Sequence, residues 1–228
     1  MQHLVVLTGA GISAESGLKT FRDQDGLWEN YDVMEVASYE GWLKNQELVL
    51  RFYNERRKQL ETALPNAGHI GLANLEKHFK VSIITQNVDN LHEQAGSKNV
   101  LHLHGELTKA GSTKDSSYVI DIGYKNIQQG DKCPKGGQLR PHIVWFGEAV
   151  PAMDEAIEIT ARADIFVVIG TSLNVYPAAG LVDYAPSKAP IYLIDPNSVT
   201  SSVRRKYEFI NEKAGKGVEI LTNLLLKE

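Results

Sequence analysis

Four short apolar runs, each rich in valine, isoleucine or leucine, constrain the fold of this chain more than any other feature. They span residues 4–7, 81–84, 165–169 and 191–194. Each run ends in glycine or polar residues, and runs of this length with no polar face fit strands that are buried on both sides of a parallel sheet. Between them lie helix-patterned stretches such as residues 67–79 and 153–163. The alternation predicts an α/β fold with a doubly wound parallel sheet, whose ligands bind beyond the carboxyl ends of the strands.

Two longer stretches interrupt this alternation. Residues 27–65 are charged, helix-patterned and contain aromatic residues, whereas residues 109–140 are rich in glycine, serine, lysine and aspartate. We predict that both are insertions that form a smaller lobe on the sheet, within a single domain over residues 1–228. The Rossmann-like core is then predicted over residues 1–26, 66–108 and 141–228.

The composition argues against several functional classes. The chain has 228 residues, of which 43% are hydrophobic and 23% charged, and these are ordinary values for a folded globular protein. Its net charge of -4 gives no overall electrostatic attraction to nucleic acid. No apolar run approaches the ~20 residues that span a bilayer, and the first residues resemble a strand and not a targeting sequence. We therefore expect a cytoplasmic protein with neither nucleic acid nor membrane as partner.

A glycine-containing loop follows the first predicted strand. Gly9 and Gly11 have no Cβ, which permits a tight turn and lets a pyrophosphate approach backbone N–H groups at the start of a helix. A tight turn without any ligand is the alternative. Ala14 stands where the dehydrogenase fingerprint has its third glycine, and no clear acidic residue ends a second strand ~20 residues later. The loop therefore favours nucleotide binding, but not by a hydride-transferring dehydrogenase.

Polar side chains also follow the second predicted strand. Gln86, Asn87 and Asp89 are unfavourable near a buried strand end unless they are paired or face a ligand, although turn or N-cap chemistry would explain Asp89 or Asn90. His102 and His104 come next, and strand alternation would place both on one face. No third metal ligand stands at a suitable spacing, so we favour a single histidine that acts as a general base over a metal pair. A purely structural histidine remains the alternative.

Taken together, these motifs resemble the sirtuins, a family of NAD-dependent protein-lysine deacylases. The matching segments are 9–23 (GAGISAESGLKTFRD), 85–92 (TQNVDNLH), 102–106 (HLHGE), 143–148 (IVWFGE), 170–172 (GTS) and 175–179 (VYPAA). They run in family order over nearly the whole chain. The resemblance implies NAD as cofactor and acylated lysine side chains of proteins as substrates. It also implies nicotinamide, free lysine and O-acyl-ADP-ribose as products.

The resemblance further implies roles for individual residues. His104 is expected to be the catalytic general base, and Asn87 is expected to act with it at the ribose. The expected cofactor contacts are Gly9, Ala10, Gly11, Ala14, Glu15, Phe21, Arg22, Trp28, Gln86, Asn87, Val88, Asp89, Gly170, Thr171, Ser172, Asp195, Pro196, Asn197 and Ala214. The segment expected to pair with a substrate peptide, as an added strand, consists of Val144, Trp145, Phe146 and Gly147.

Tyr53 and Arg56 bear on which acyl group is removed. Their (i, i+3) spacing places them on one face of a predicted helix, and a helix with so many charges is usually a solvated surface. The pair nevertheless resembles the one that marks the desuccinylase and demalonylase branch of the sirtuins, and Ala37 resembles the small residue that widens the acyl pocket there. A malonyl or succinyl chain ends in a carboxylate, which enters an apolar tunnel only when hydrogen-bond donors pair with it. The resemblance therefore implies removal of succinyl and malonyl groups as well as acetyl groups.

The chain departs from the family pattern in one place. Most sirtuins hold a structural zinc with two pairs of cysteines in the small lobe, whereas Cys133 is the single cysteine of this chain. One thiolate cannot form a tetrahedral site, and the nearby His142 would still leave two ligands missing. We therefore predict that the chain binds no zinc.

Two other functions stay open from the sequence. A mono-ADP-ribosyltransferase would use NAD to modify a protein side chain, and a non-catalytic NAD-sensing module would keep only the pocket. The presence of His104 and of the segment 144–147 favours deacylation over both.

Overall fold

The computed structural model describes residues 1–19, 27–28, 31–197 and 205–227. Within these ranges the strands are β1 (His3–Thr8), β2 (Leu27–Trp28), β3 (Tyr31–Asp32), β4 (Lys80–Thr85), β5 (Val100–His102), β6 (Gly105–Ser112), β7 (Val119–Asp121), β8 (Leu139–Ile143), β9 (Ile165–Ile169), β10 (Ile191–Ile194) and β11 (Glu208–Ile210). The α-helices are α1 (Val33–Val36), α2 (Tyr39–Lys44), α3 (Gln46–Thr62), α4 (Ala67–Leu75), α5 (Leu91–Gln94), α6 (Met153–Thr160) and α7 (Ala214–Leu225). Short 3₁₀ helices cover Ala10–Ile12, Ala14–Ser16 and Ala178–Tyr184.

The main sheet has the strand order β11-β10-β9-β1-β4-β5, and all of its neighbouring strands are parallel. The four apolar runs form β1, β4, β9 and β10, so the predicted α/β fold with a parallel sheet is confirmed. The edge strands β5 and β11 are three residues long, too short to leave an apolar run in the sequence. From β1 the chain passes to β4 on one side and later to β9 on the other. The strand order therefore reverses beside β1, which is where open α/β sheets bind their ligands.

Helices cover both faces of the main sheet. Leu72 of α4 and Leu221 of α7 pack against one face, while Ala156 of α6 and Leu181 of the 3₁₀ helix pack against the other. The contact of α7 with β10 is close, since a Cβ on Gly217 would lie 2.1 Å from Ile194 Cγ2. This double cover explains why all six residues of β1 are buried.

A second assembly consists of α1, α2, α3 and the antiparallel sheet β7-β6-β8. The two predicted insertions supply most of it, although the small sheet begins before residue 109 and ends after residue 140. On α3 the side chains of Phe52, Tyr53 and Arg57 are buried. Arg57 Nε donates to the Leu107 carbonyl of β6 over 2.8 Å, which joins α3 to the small sheet. Burial lowers the pKa of Arg57 to about 10, so its guanidinium stays charged at neutral pH.

The described part of the chain contains no helix that is long and apolar enough to cross a membrane.

Candidate functional site

A cleft of about 720 Å³ lies between the main sheet and the small sheet. Because β1, β4, β9 and β10 are parallel, the turns that follow them meet at one edge of the sheet and form one wall. Residues of α3 and the segment after β8 form the opposite wall. This is the position that the doubly wound topology predicts for a ligand site.

Most of the sequence-predicted site residues line this cleft. They are Gly9, Ala10, Gly11, Ala14, Glu15, Ala37, Tyr53, Arg56, Gln86, Asn87, Val88, Asp89, His104, Val144, Trp145, Phe146, Gly147, Gly170, Thr171, Ser172, Asp195, Pro196 and Asn197. They come from segments spread over almost the whole chain, so the fold brings them together.

Four predicted residues stand apart. Phe21 and Arg22 lie outside the described residues, and Trp28 lies in β2, where only the strand is described. Ala214 is not among the residues that line the cleft. It begins α7, is buried, and would lie 3.2 Å from a Cβ at Gly68, whereas its neighbour Lys213 does line the cleft.

The glycines of the loop after β1 also serve a purpose that the sequence did not indicate. A Cβ on Gly9 would lie 2.6 Å from Thr171 Cβ, and a Cβ on Gly11 would lie 2.6 Å from Gly170 Cα. The N–H of Gly9 donates to the Ile169 carbonyl, and that of Gly11 donates to the Gly170 carbonyl. The glycines thus let the loops after β1 and β9 pack backbone to backbone. The N–H groups of Gly9 and Gly11 therefore already have protein acceptors, and the approach of a pyrophosphate to other N–H groups of this loop stays a prediction.

Asn87 and Asp89 belong to a buried network that ties the loop after β4 to the loop after β1. Asn87 Nδ2 donates to the Gly9 carbonyl over 3.2 Å and to Ser13 Oγ over 3.1 Å, and Ser13 Oγ donates to Asp89 Oδ2 over 2.9 Å. Asp89 Oδ1 accepts from the Leu91 N–H, so this carboxylate also stabilises the turn before α5. Burial raises the pKa of Asp89, and these two hydrogen bonds oppose the rise. Ser13 lies within the matching segment 9–23, where the sequence assigns it no role of its own.

His104 has the tautomer that a general base needs. Its Nδ1 lies 3.0 Å from the Gln86 carbonyl, which can only accept, so Nδ1 carries the hydrogen and Nε2 is left as the acceptor. Burial lowers the pKa of His104, and the bond to Gln86 opposes this only partly. The imidazole is therefore neutral at pH 7, and a neutral imidazole at the wall of the cleft can take a proton.

His102 does not share a strand face with His104, which corrects the sequence prediction. β5 ends at His102, and the chain turns before Gly105, whose φ is +81°. His102 Nδ1 donates to the Asn87 carbonyl over 3.1 Å, and its Nε2 lies 2.7 Å from Glu93 Oε1. Burial alone would lower the pKa of His102, but the hydrogen bond and charge of Glu93 outweigh it and raise that pKa. Both ring nitrogens are thus engaged with protein groups.

Tyr53, Arg56 and Ala37 are buried, so the charged helix α3 is not simply a solvated surface. They line the cleft together with Leu60 and Leu107, which belong to one hydrophobic cluster with Tyr53 and Ala37. Arg56 is 6% exposed, with its guanidinium carbon 5.5 Å from the centroid of the Phe52 ring. A guanidinium at an apolar wall offers planar, charged donors to a carboxylate.

Several cleft residues were not predicted. They are Ser13, Leu18, Lys19, Leu60, Leu107, Ile143, Glu148, Val150, Asn174, Val175, Tyr176, Pro177 and Lys213. The helical spacing of Tyr53, Arg56 and Leu60 would have indicated Leu60, and residues 175–177 lie inside a motif that we had recognised but given no role. No motif or helical spacing in the sequence indicates Lys213. It reaches the cleft from the N-terminal end of α7.

The region around Cys133 does not fit a zinc ion. Cys133 Sγ accepts a hydrogen bond from Ser112 Oγ over 3.1 Å, and Lys135 Nζ pairs with Asp115 Oδ2 over 2.7 Å. Among the residues that the structure describes, no three histidine, cysteine, aspartate or glutamate side chains are grouped so that they could hold a metal ion.

The sheet topology and the cleft at its switch point define a Rossmann-like α/β protein with a ligand site under a second lobe. A model described as the Sir2 family matches residues 9–177, and the chain belongs to that family. It is 54% identical over 231 residues to an NAD-dependent protein deacylase of Bacteroides thetaiotaomicron, with 99% of each chain covered. It is 53% identical over 227 residues to an NAD-dependent protein deacylase of Helicobacter pylori, with 100% of this chain and 99% of that protein covered.

Solved structures agree in fold. A Sir2 homologue in complex with NAD superimposes with a TM-score of 0.88 at 40% identity, covering 99% of this chain and 90% of that one. A Sir2 protein with a deacetylated p53 peptide and 3′-O-acetyl ADP ribose superimposes with a TM-score of 0.83 at 28% identity, covering 97% and 92%.

Proposed function

We propose that this protein is an NAD-dependent protein-lysine deacylase that removes acetyl groups and, through Tyr53 and Arg56, succinyl and malonyl groups. One observation carries the proposal: a neutral, correctly oriented His104 and the buried Tyr53 and Arg56 line the same cleft. Relatives about half identical in sequence, named NAD-dependent protein deacylases, support it. A Sir2 homologue solved with NAD supports the choice of cofactor.

NAD would occupy the wall formed by the turns after the parallel strands. In the proposal, the loops at residues 9–15, 170–172 and 195–197 hold the ADP-ribose part, and residues 86–89 surround the nicotinamide ribose. Phe21, Arg22, Trp28 and Ala214 complete the proposed set. The cleft of about 720 Å³ falls within the ~300–1,000 Å³ range of ligand pockets. Bound NAD would supply an anomeric carbon at which the bond to nicotinamide breaks and a bond to the acyl oxygen of the substrate forms, with nicotinamide released.

His104 would then act as the general base. Its Nε2 would take the proton of a ribose hydroxyl, so that this oxygen can attack the carbon of the alkylated amide. Water would complete the reaction, as the bond from that carbon to the lysine nitrogen breaks and free lysine and O-acyl-ADP-ribose are released. The Nδ1–H bond to Gln86 holds the ring in the tautomer that leaves Nε2 able to accept. Asn87 holds the loops after β1 and β4 together through Gly9 and Ser13, which keeps the ribose end of the cleft formed.

The substrate peptide would pair as an added strand with the segment 144–147, and its acyl chain would point to the apolar end of the cleft. Phe146 N–H donates to the Ala37 carbonyl, and Val144 N–H donates to the His104 carbonyl, so this segment is already fixed between two neighbours. Because the N–H groups of Val144, Trp145 and Phe146 are already bonded within the protein, an added strand would have to pair through other main-chain groups of this segment. Arg56 and Tyr53 then meet a carboxylate at the end of the acyl chain.

The proposal is tested by incubating the protein with acetyl-, succinyl- and malonyl-lysine peptides, with and without NAD, and measuring products by mass. We expect NAD-dependent loss of each acyl group together with O-acyl-ADP-ribose. Protein labelled with ADP-ribose and intact peptide would instead indicate a mono-ADP-ribosyltransferase. NAD binding without either product would indicate a sensing module.

We further propose that the protein binds no zinc, because Cys133 has no partner cysteine. Elemental analysis after dialysis against a chelator should find much less than one zinc per chain, with deacylation unchanged. Stoichiometric zinc, or activity that the chelator removes and zinc restores, would contradict this.

A cytoplasmic location without nucleic-acid or membrane partners stays a prediction from the sequence.

A further inference from the structure

A hydrogen bond joins α3 to the segment after β8 within one wall of the cleft. Trp145 Nε1 donates to Tyr53 Oη over 3.0 Å. Tyr53 is 0% exposed and Trp145 is 2% exposed, so bulk water does not compete for this bond. Both residues line the cleft.

The bond determines what the Tyr53 hydroxyl can do. An indole N–H can only donate, so the phenol oxygen accepts and its own hydrogen must point elsewhere. Within the part of the chain that the structure describes, Trp145 is the only hydrogen-bond partner of this hydroxyl. Burial raises the pKa of Tyr53, so the phenol keeps its hydrogen at neutral pH. Tyr53 lines the cleft, and its hydroxyl is thus a donor that lacks an acceptor among these residues.

Trp145 is itself held by a charged pair. The guanidinium carbon of Arg140 lies 3.6 Å from the centroid of the indole ring. Arg140 donates to both carboxylate oxygens of Glu148, over 2.6 Å and 2.9 Å. Glu148 Oε2 also accepts from the Trp145 N–H over 2.9 Å. Bidentate pairs of this kind are strong and directional, so both the ring and the backbone of Trp145 are fixed.

We propose that Trp145 is a positioning residue for acyl selectivity, whose indole N–H orients the Tyr53 hydroxyl as a donor toward the carboxylate of a succinyl or malonyl chain. This inference rests on the proposed function and adds a residue to it. A buried donor without an acceptor is unfavourable, so the pocket selects an acyl chain that ends in an acceptor.

The variant Trp145→Phe keeps an aromatic ring and removes the N–H. We expect the ratio of kcat/KM for succinyl-lysine to that for acetyl-lysine to fall about three- to tenfold, mainly through KM, as for the loss of one neutral hydrogen bond. In a Tyr53→Phe background the same change should alter the ratio by less than about twofold, because the hydroxyl that it orients is gone. Trp42→Phe is the control, since Trp42 is another buried indole, with its ring centroid 5.4 Å from that of Trp145. It should leave the ratio unchanged.

Equal losses for both substrates, or full additivity of the two substitutions, would overturn the role of Trp145. Absence of succinyl turnover in the wild-type protein, or an unchanged ratio in Arg56→Met, would instead reject the acyl proposal and this inference with it. If Arg56→Met lowers the ratio of succinyl to acetyl kcat/KM but Trp145→Phe leaves that ratio unchanged, only the inference about Trp145 is rejected.

A second measurement covers the case in which Trp145→Phe does not fold. The wild-type protein is assayed with 4-oxopentanoyl-lysine and pentanoyl-lysine, which differ by one neutral acceptor near the end of the chain. We expect a preference for the ketone that is lost in Tyr53→Phe. Equal turnover of the two substrates by the wild-type protein would overturn the inference.

Discussion

Replacing His104 with asparagine is expected to lower kcat/KM for deacylation by about 10²- to 10⁴-fold, the usual contribution of a general base. An asparagine amide can still donate to the Gln86 carbonyl, as Nδ1 of His104 does, so the turn after β5 should keep its shape. The amide cannot take a proton at neutral pH, and the ribose hydroxyl then stays protonated. The measurement is single-substrate kinetics with an acetyl-lysine peptide, together with thermal unfolding to show that the fold persists.

Two further readings separate loss of the base from loss of NAD binding. In the proposed mechanism nicotinamide release precedes the proton transfer, so acyl-peptide-dependent exchange of labelled nicotinamide should persist in His104→Asn. The exposed His78 provides the control, and His78→Asn should behave as the wild-type protein does.

Because burial lowers the pKa of His104 below 6.5, wild-type kcat/KM should hold from pH 8 to about 6.5 and fall only on further acidification, as the imidazole is protonated. Turnover near the wild-type value in His104→Asn would remove the residue from the mechanism.

The strands and the position of the site could be predicted because their signals are local. A strand buried on both faces, such as β1 or β9, must be apolar throughout, and the polar turn that follows it marks the carboxyl edge. Parallel strands bring those turns to one edge whatever their separation in the chain. Asn87 and Gly170 could therefore be assigned to one cleft without any knowledge of their contacts.

The contacts within the site could not be predicted, because they depend on which surfaces meet. Tyr53 and Trp145 are 92 residues apart, and nothing in either segment indicates that the indole donates to the phenol. Nor does the sequence indicate that the missing Cβ of Gly9 also makes room for Thr171. The burial of Arg56 likewise depends on the small sheet and the segment after β8 covering α3, while the charge of that helix alone favours an exposed face.

Replacing Arg56 with methionine is expected to lower kcat/KM for succinyl-lysine by ~10- to 100-fold and to change that for acetyl-lysine far less. The reason is that a charge-assisted hydrogen bond contributes about 1.5–3 kcal/mol, and a succinyl carboxylate in an apolar pocket has no substitute for it. Methionine keeps a long apolar side chain, so the wall next to Phe52 stays filled. Acetyl has no charged end and does not need the guanidinium. The measurement is kcat/KM for both peptides at saturating NAD.

Two companion variants make the result specific to the guanidinium at this position. Arg51→Met changes an exposed arginine five residues earlier on α3, and should leave the ratio of succinyl to acetyl kcat/KM unchanged. Arg56→Lys keeps the charge but loses the planar, bidentate fork, and its succinyl kcat/KM should fall between those of Arg56→Met and the wild-type protein. A graded loss in that order would assign selectivity to geometry as well as to charge. If both substrates fell together in Arg56→Met, or if Arg51→Met had the same effect, Arg56 would be a structural residue of α3 and the protein a deacylase without preference for acidic acyl groups.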